Sequence, residues 1–124
     1  YYEPLVEDGH NVWLAITPET KLNTLVLPED LGGVMLMGIT PGRSGQSLYP
    51  DTFERLDTFR ELYPEQPLMI DGGVDKDTIR QFIAYGADDI VASGAIFNDP
   101  NPVSAYEELV ALVDPISGRR PTMT

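Results

Sequence analysis

The chain has 124 residues, 42% of them hydrophobic, enough for one modest domain and too few for two. Eight basic residues against twenty acidic ones leave a formal net charge of −12, which argues against nucleic acid or an anionic membrane surface as partner. It does not exclude phosphate, because backbone amide cradles act locally. Cysteine is absent, so there is no disulfide framework, thiol nucleophile or cysteine–zinc site, and no apolar run approaches the roughly 20 residues of a membrane span. With no secretory signal visible, a cytoplasmic location is the default expectation. Tyr1 is not an initiator Met, as expected of a chain trimmed or cut from something longer.

Tyr2 to Asp8 has helical spacing and stops at Gly9. Asn11 to Thr17 reads as a buried strand halted by Pro18, with Trp13 simplest as core. Thr20 to Leu25 reads as a short helix, before Pro28-Glu29-Asp30 and Gly32-Gly33. Val34 to Ile39 is the second strand, with Met35 and Met37 as ordinary core filler in isolation. It runs straight into the turn Thr40-Pro41-Gly42-Arg43-Ser44-Gly45-Gln46. Pro50 to Tyr63 is the strongest helix, with Phe53, Leu56, Phe59, Leu62 and Tyr63 on one face and Asp51 near its start. Pro67 to Ile70 is the third strand, leading into Asp71-Gly72-Gly73. Lys76 to Tyr85 forms the next helix, with Ile79, Phe82 and Ile83 inward and Gly86 as its stop. Asp89 to Ala92 is the fourth strand, ending in Ser93-Gly94. Val103 to Val113 is the last helix, with Tyr106, Leu109, Val110 and Val113 inward. Residues 1–113 form the domain, and the polar tail 114–124 has no apolar period and is expected to be mobile.

Strands alternating with helices imply a parallel sheet, because a chain returns to a parallel neighbour only through a crossover. Four such strands form a small open α/β sheet or half of an eight-stranded barrel. Three consecutive strand ends carry glycine loops of the kind that receives a phosphate on bare backbone N–H groups, which favours the barrel. In barrels of this kind the loops after the last two strands commonly hold phosphate. Taking Asp71-Gly72-Gly73 and Ser93-Gly94 as those loops makes the strands the fifth to eighth of a TIM (β/α)8 barrel. Asp71 is the one carboxylate among the three turns, placed for acid/base or metal-binding work beside a phosphorylated small molecule. Asp-Gly is also ordinary turn chemistry, and a single loop would be weak evidence.

At these residues the chain resembles the pentulose-phosphate (ribulose-phosphate) 3-epimerase family of (β/α)8 barrels. That family runs Asn-Pro-Gly-Phe-Gly-Gly-Gln, then Asp-Gly-Gly, then Ala-Gly-Ser-Ala-hydrophobic-Phe. The counterparts here are Thr40 to Gln46, Asp71-Gly72-Gly73 and Ala92-Ser93-Gly94-Ala95-Ile96-Phe97, with Tyr85-Gly86-Ala87-Asp88-Asp89 resembling its Ala-Gly-Ala-Asp. The resemblance covers Gly9 to Val113 and corresponds to the family's C-terminal half. It implies a sugar-phosphate epimerase interconverting D-ribulose 5-phosphate and D-xylulose 5-phosphate. It also implies a divalent metal (Zn, Fe, Mn or Co) held by two His and two Asp that stabilises an enediolate, while two Asp carboxylates move the C3 proton. By its place in the motif Asp71 is both the second catalytic Asp and a metal ligand. Met37 matches a Met lining the pocket, and Gly42, Ser44, Gly45, Gly72, Gly73, Ser93 and Gly94 match loop positions around the substrate phosphate.

The departures are specific. The remaining metal ligands and the opposite Asp belong to early strands that these residues do not contain, and His10, ahead of the first strand, is a poor ligand candidate. Thr40 replaces Asn, Arg43-Ser44 replaces Phe-Gly, and Gly-Ser is inverted as Ser93-Gly94. Arg43 would add a cationic donor, while Ser44 restricts close backbone approach. A half barrel exposes unpaired strand edges and its own interior, so it is expected to pair with a second copy as a homodimer or with a missing N-terminal half. By itself the chain is expected to have little or no epimerase activity. The alternative is a non-catalytic phosphate-ligand-binding or assembly module.

Overall fold

The structure, a computed structural model, describes residues 2–39 and 50–117, with side chains as far as Val113. In chain order it runs α1 (Tyr2–Glu7), β1 (Trp13–Ile16), a 3-10 turn (Leu22–Thr24), β2 (Gly33–Met37), α2 (Thr52–Leu62), β3 (Leu68–Asp71), α3 (Ile79–Ala84), β4 (Asp89–Val91), α4 (Gly94–Phe97) and α5 (Pro102–Ser117). All four strands are parallel and lie in the order β1-β2-β3-β4. Parallel neighbours that are also consecutive require a crossover between each pair, the repeat from which (β/α)8 barrels are built. The fold is the expected one: α/β, with parallel strands and alternating helices, part of a TIM barrel.

Period-two alternation sorts the strand side chains onto two faces. Ile16, Leu36, Ile70 and Ile90 share one register row, Val34 and Leu68 another, and all six are essentially buried. Leu56 and Phe59 of α2, Ile79 and Phe82 of α3, and Leu109 and Val113 of α5 belong to the same core. Fully burying an aromatic such as Phe59 or Phe82 stabilises the fold by about 2–3 kcal/mol. Phe53 stacks on Phe82 with ring centroids 4.9 Å apart, joining α2 to α3. The opposite face carries Ala15, Met35, Met69 and Asp89 in one row and Met37, Asp71 and Val91 in the next. Most of these side chains are only half-buried, and Ala15 is exposed. One face is thus sealed by helices and the other is open.

Local chemistry sets the helix ends. The backbone N–H of Asp75 donates to Thr78 Oγ1 (3.0 Å) and Asp75 Oδ1 accepts from the Thr78 N–H (3.0 Å), a reciprocal cap that starts α3. The α3 helix stops at Gly86, whose φ of +103° suits glycine. Asn101 Oδ1 accepts from the Ser104 N–H (3.2 Å), so Asn101 caps α5 and Pro102 takes the first helical position. Arg60 ties the far end of the sheet together. Its guanidinium donates to the carbonyls of Tyr63, Pro64, Gln66 and Gly86, and to the Asp88 carboxylate at 3.3 Å.

Several expectations are corrected. The first strand is shorter than Asn11–Thr17 and buried only at Ile16: Leu14 and Ala15 are exposed, because β1 is the sheet edge. Trp13 is half-buried, its ring lying over Gly32 and Gly33, so that a Cβ at Gly33 would overlap the indole. Thr20–Leu25 makes only a single 3-10 turn, and Leu62 is turned outward at 47% exposure. The short helix α4 was not foreseen, and α5 continues to Ser117, past the expected end at Val113. The loop 40–49, with Gly42, Arg43, Ser44 and Gly45, and the end of the tail, 118–124, lie outside the described residues.

Candidate functional site

Parallel register decides where the loops go. Met37, Asp71 and Val91 stand in one row at the C-terminal ends of β2, β3 and β4. The segments that follow them, Gly38-Ile39, Gly72-Gly73 and Ser93-Gly94, therefore leave the sheet along the same edge. Between them lies a cavity of about 530 Å³, lined by Ile39, Asp71 to Asp75, Val91, Ser93 to Ala95, Phe97 and Asn98. Of the expected site residues, Asp71, Gly72, Gly73, Ser93 and Gly94 come together here. Met37 stands beside Asp71 in register but is not among the lining residues. His10 is exposed and precedes β1, at the opposite edge of the sheet.

The Asp71 carboxyl is half-buried, and burial pushes its pKa above the ordinary aspartate value, opposed by a hydrogen bond from the Gly72 backbone. The turn beneath it cannot accept a larger residue. Gly72 has φ +101°, and a Cβ there would come within 2.7 Å of the Ile39 side chain and 3.1 Å of its backbone nitrogen. Gly73 follows at φ +74°, and its carbonyl accepts from Thr78 Oγ1 at 2.7 Å, locking the loop onto the α3 cap. The result is a fixed glycine corner that holds a proton-binding carboxyl at the rim of a cavity.

Sequence reasoning missed Ile39, Asp75, Phe97 and Asn98. Phe97 and Asn98 belong to the unforeseen α4 turn, which brings the Asn98 carboxamide over Gly94; Phe97 is 57% exposed at the cavity edge. Phe97 closes the Ala92 to Phe97 motif but was given no site role there, and four residues are too few to show the helical period that places Asn98. Among the described residues no three His, Cys, Asp or Glu side chains gather as a metal-binding group. Asp71 is one of the four ligands that the resemblance implies, and the described residues do not by themselves fit the metal. No helix among them is long and apolar enough to cross a membrane.

Fold and site together define a partial (β/α)8 barrel with the Asp71 carboxyl at the C-terminal rim of its strands, where enzymes of this architecture keep their chemistry. The family model described as the ribulose-phosphate 3 epimerase family matches residues 3–97. Ribulose-phosphate 3-epimerase of Escherichia coli K12 is 34% identical over 108 residues, covering 83% of this chain and 48% of the relative. The Schizosaccharomyces pombe enzyme of the same name is 34% identical over 98 residues, or 77% of this chain and 42% of the relative. That of Synechocystis is 34% identical over 112 residues, or 85% and 46%. The chain belongs to the ribulose-phosphate 3-epimerase family, and it spans about half the length of the curated relatives it matches.

Proposed function

We propose that this chain is the phosphate-binding, C-terminal half of a sugar-phosphate 3-epimerase barrel, acting on D-ribulose 5-phosphate and D-xylulose 5-phosphate. The observation that carries this reading is the meeting of Asp71 with the Gly72-Gly73 and Ser93-Gly94 corners around one cavity. Epimerisation at C3 needs a base on one face of the carbon and an acid on the other, because the proton lies next to a carbonyl and must return from the opposite side. Asp71 supplies one of these groups. Burial raises its affinity for a proton, which brings it closer to the range in which a carboxyl can both take and return one. The backbone N–H groups of these two loops receive the phosphoryl group. No second carboxyl stands opposite Asp71 among the lining residues: the remaining one, Asp75, comes from the same loop and uses Oδ1 to cap α3.

The chain is therefore a binding half in which no opposing acid/base group stands among the described residues. Its open face, with Met35, Met37 and Met69 half-buried, is closed by a complementary half-barrel, either a preceding segment or a second copy. Calorimetric titration of the pure chain tests the reading. D-ribulose 5-phosphate should bind at least tenfold more tightly than unphosphorylated ribulose, and C3 proton exchange into solvent should be undetectable. Equal binding of the two sugars would overturn the phosphate assignment. Exchange that disappears in Asp71→Asn would overturn the expectation of inactivity.

A further inference from the structure

We propose that Asn98 is the side-chain donor to the phosphoryl group in this cavity, a role that rests on the phosphate reading above. Four polar side chains are among the described residues lining the cavity: Asp71, Asp75, Ser93 and Asn98. Two are carboxylates, which repel an anion, and Asp75 Oδ1 is already engaged by the N–H groups of Asp77 and Thr78. That leaves one hydroxyl and one carboxamide, and the carboxamide carries two N–H donors to the hydroxyl's one.

The geometry favours Asn98 further. Side chains in a helical turn lean toward its N-terminal end, so residue i+4 covers residue i. Asn98 follows Gly94 by that spacing, and its backbone N–H donates to the Gly94 carbonyl at 3.0 Å. Its Nδ2 lies 3.2 Å from where a Cβ on Gly94 would stand. The carboxamide thus occupies the space over a residue that has no side chain of its own, at the position where the resembling pattern carries Ser. Among the described residues this carboxamide makes no hydrogen bond.

Calorimetric titration of the full chain and its variants with D-ribulose 5-phosphate tests this, with circular dichroism to check that each variant folds. Asn98→Ala should weaken binding about tenfold, as expected for a lost hydrogen bond to a charged group. Asn98→Asp, equal in shape but acidic, should weaken it further. Gly94→Ser placed in the Asn98→Ala background should recover most of the loss. If the wild type binds and both Asn98 variants bind as well as it does, the inference is overturned while the phosphate reading stands. If the wild type binds neither the sugar phosphate nor inorganic phosphate, both fall together.

Discussion

Asp71 connects the site to the stability of the fold. Burial raises its pKa above the ordinary value of 3.8, so the folded state holds this proton more tightly than the unfolded chain does. The contribution to stability is fully present below pH 3.8 and is lost as the pH rises through the elevated folded value. At neutral pH, therefore, the ionised carboxylate works against folding. Asp71→Asn should melt at a higher temperature than the wild type at pH 7, and the difference should vanish below about pH 3.8. Melting curves across pH 3 to 8 check this; a lower melting temperature for the variant at neutral pH would contradict it. The position of Asp71 at a strand end was legible in the sequence, because Asp-Gly-Gly follows an apolar run and stands in order with two other glycine turns. Its environment was not, since burial depends on Ile39 and the loop after β4, which only folding brings near.

At the scale of elements, Arg60 is the main brace of the edge opposite the site. One guanidinium serves the end of α2, the α2–β3 connection and the α3–β4 connection, and the Asp88 carboxylate it meets also accepts from the Leu68 N–H at 3.0 Å. Gly86 belongs to the same joint: a Cβ there would stand 3.0 Å from Arg60 Nε. Arg60→Ala should cost about 2–3 kcal/mol, because several carbonyls lose their donor together. Arg60→Lys should recover less than half of that, since a single ammonium cannot replace a planar fork. Urea unfolding measures both, and a loss under 0.5 kcal/mol in Arg60→Ala, roughly the level of an ordinary surface change, would show the brace to be dispensable. The long helices α2 and α5 were readable from their apolar period. Arg60 was not: a single Arg on a helix resembles a solvated charge until its five acceptors are seen. The two-residue errors at strand ends have a similar origin, because hydrogen-bonding partners rather than propensity set where pairing stops.

For the molecule as a whole, the decisive feature is the unequal treatment of the two sheet faces. Among the described strand residues, the open face carries no Lys or Arg, yet it presents Asp71 and Asp89 on adjacent strands. Closing a barrel with a second copy around a two-fold axis would bring four of these carboxylates into one interior, and like charges there resist closure. Neutralising them should favour the homodimer. Sedimentation equilibrium should show the Asp71→Asn, Asp89→Asn double variant dimerising about tenfold more tightly than the wild type, roughly 1.4 kcal/mol. An unchanged or weaker dimer would indicate that this face does not close against its own copy.

The order of parallel strands, the long helices α2 and α5, and the Gly72-Gly73 corner with Asp71 at the tip of β3 were determined by the sequence alone. Each depends on short-range chemistry: alternation along a strand, apolar spacing along a helix, and the φ angles that only glycine adopts readily. Tertiary structure alone decided that the Gly72-Gly73 and Ser93-Gly94 loops share one cavity, that Leu14 is exposed at the sheet edge and Leu62 faces outward, and that the sheet is sealed on one side only. Those outcomes depend on which segments lie beside one another once the chain is folded, and no local pattern of residues encodes a neighbour tens of positions away.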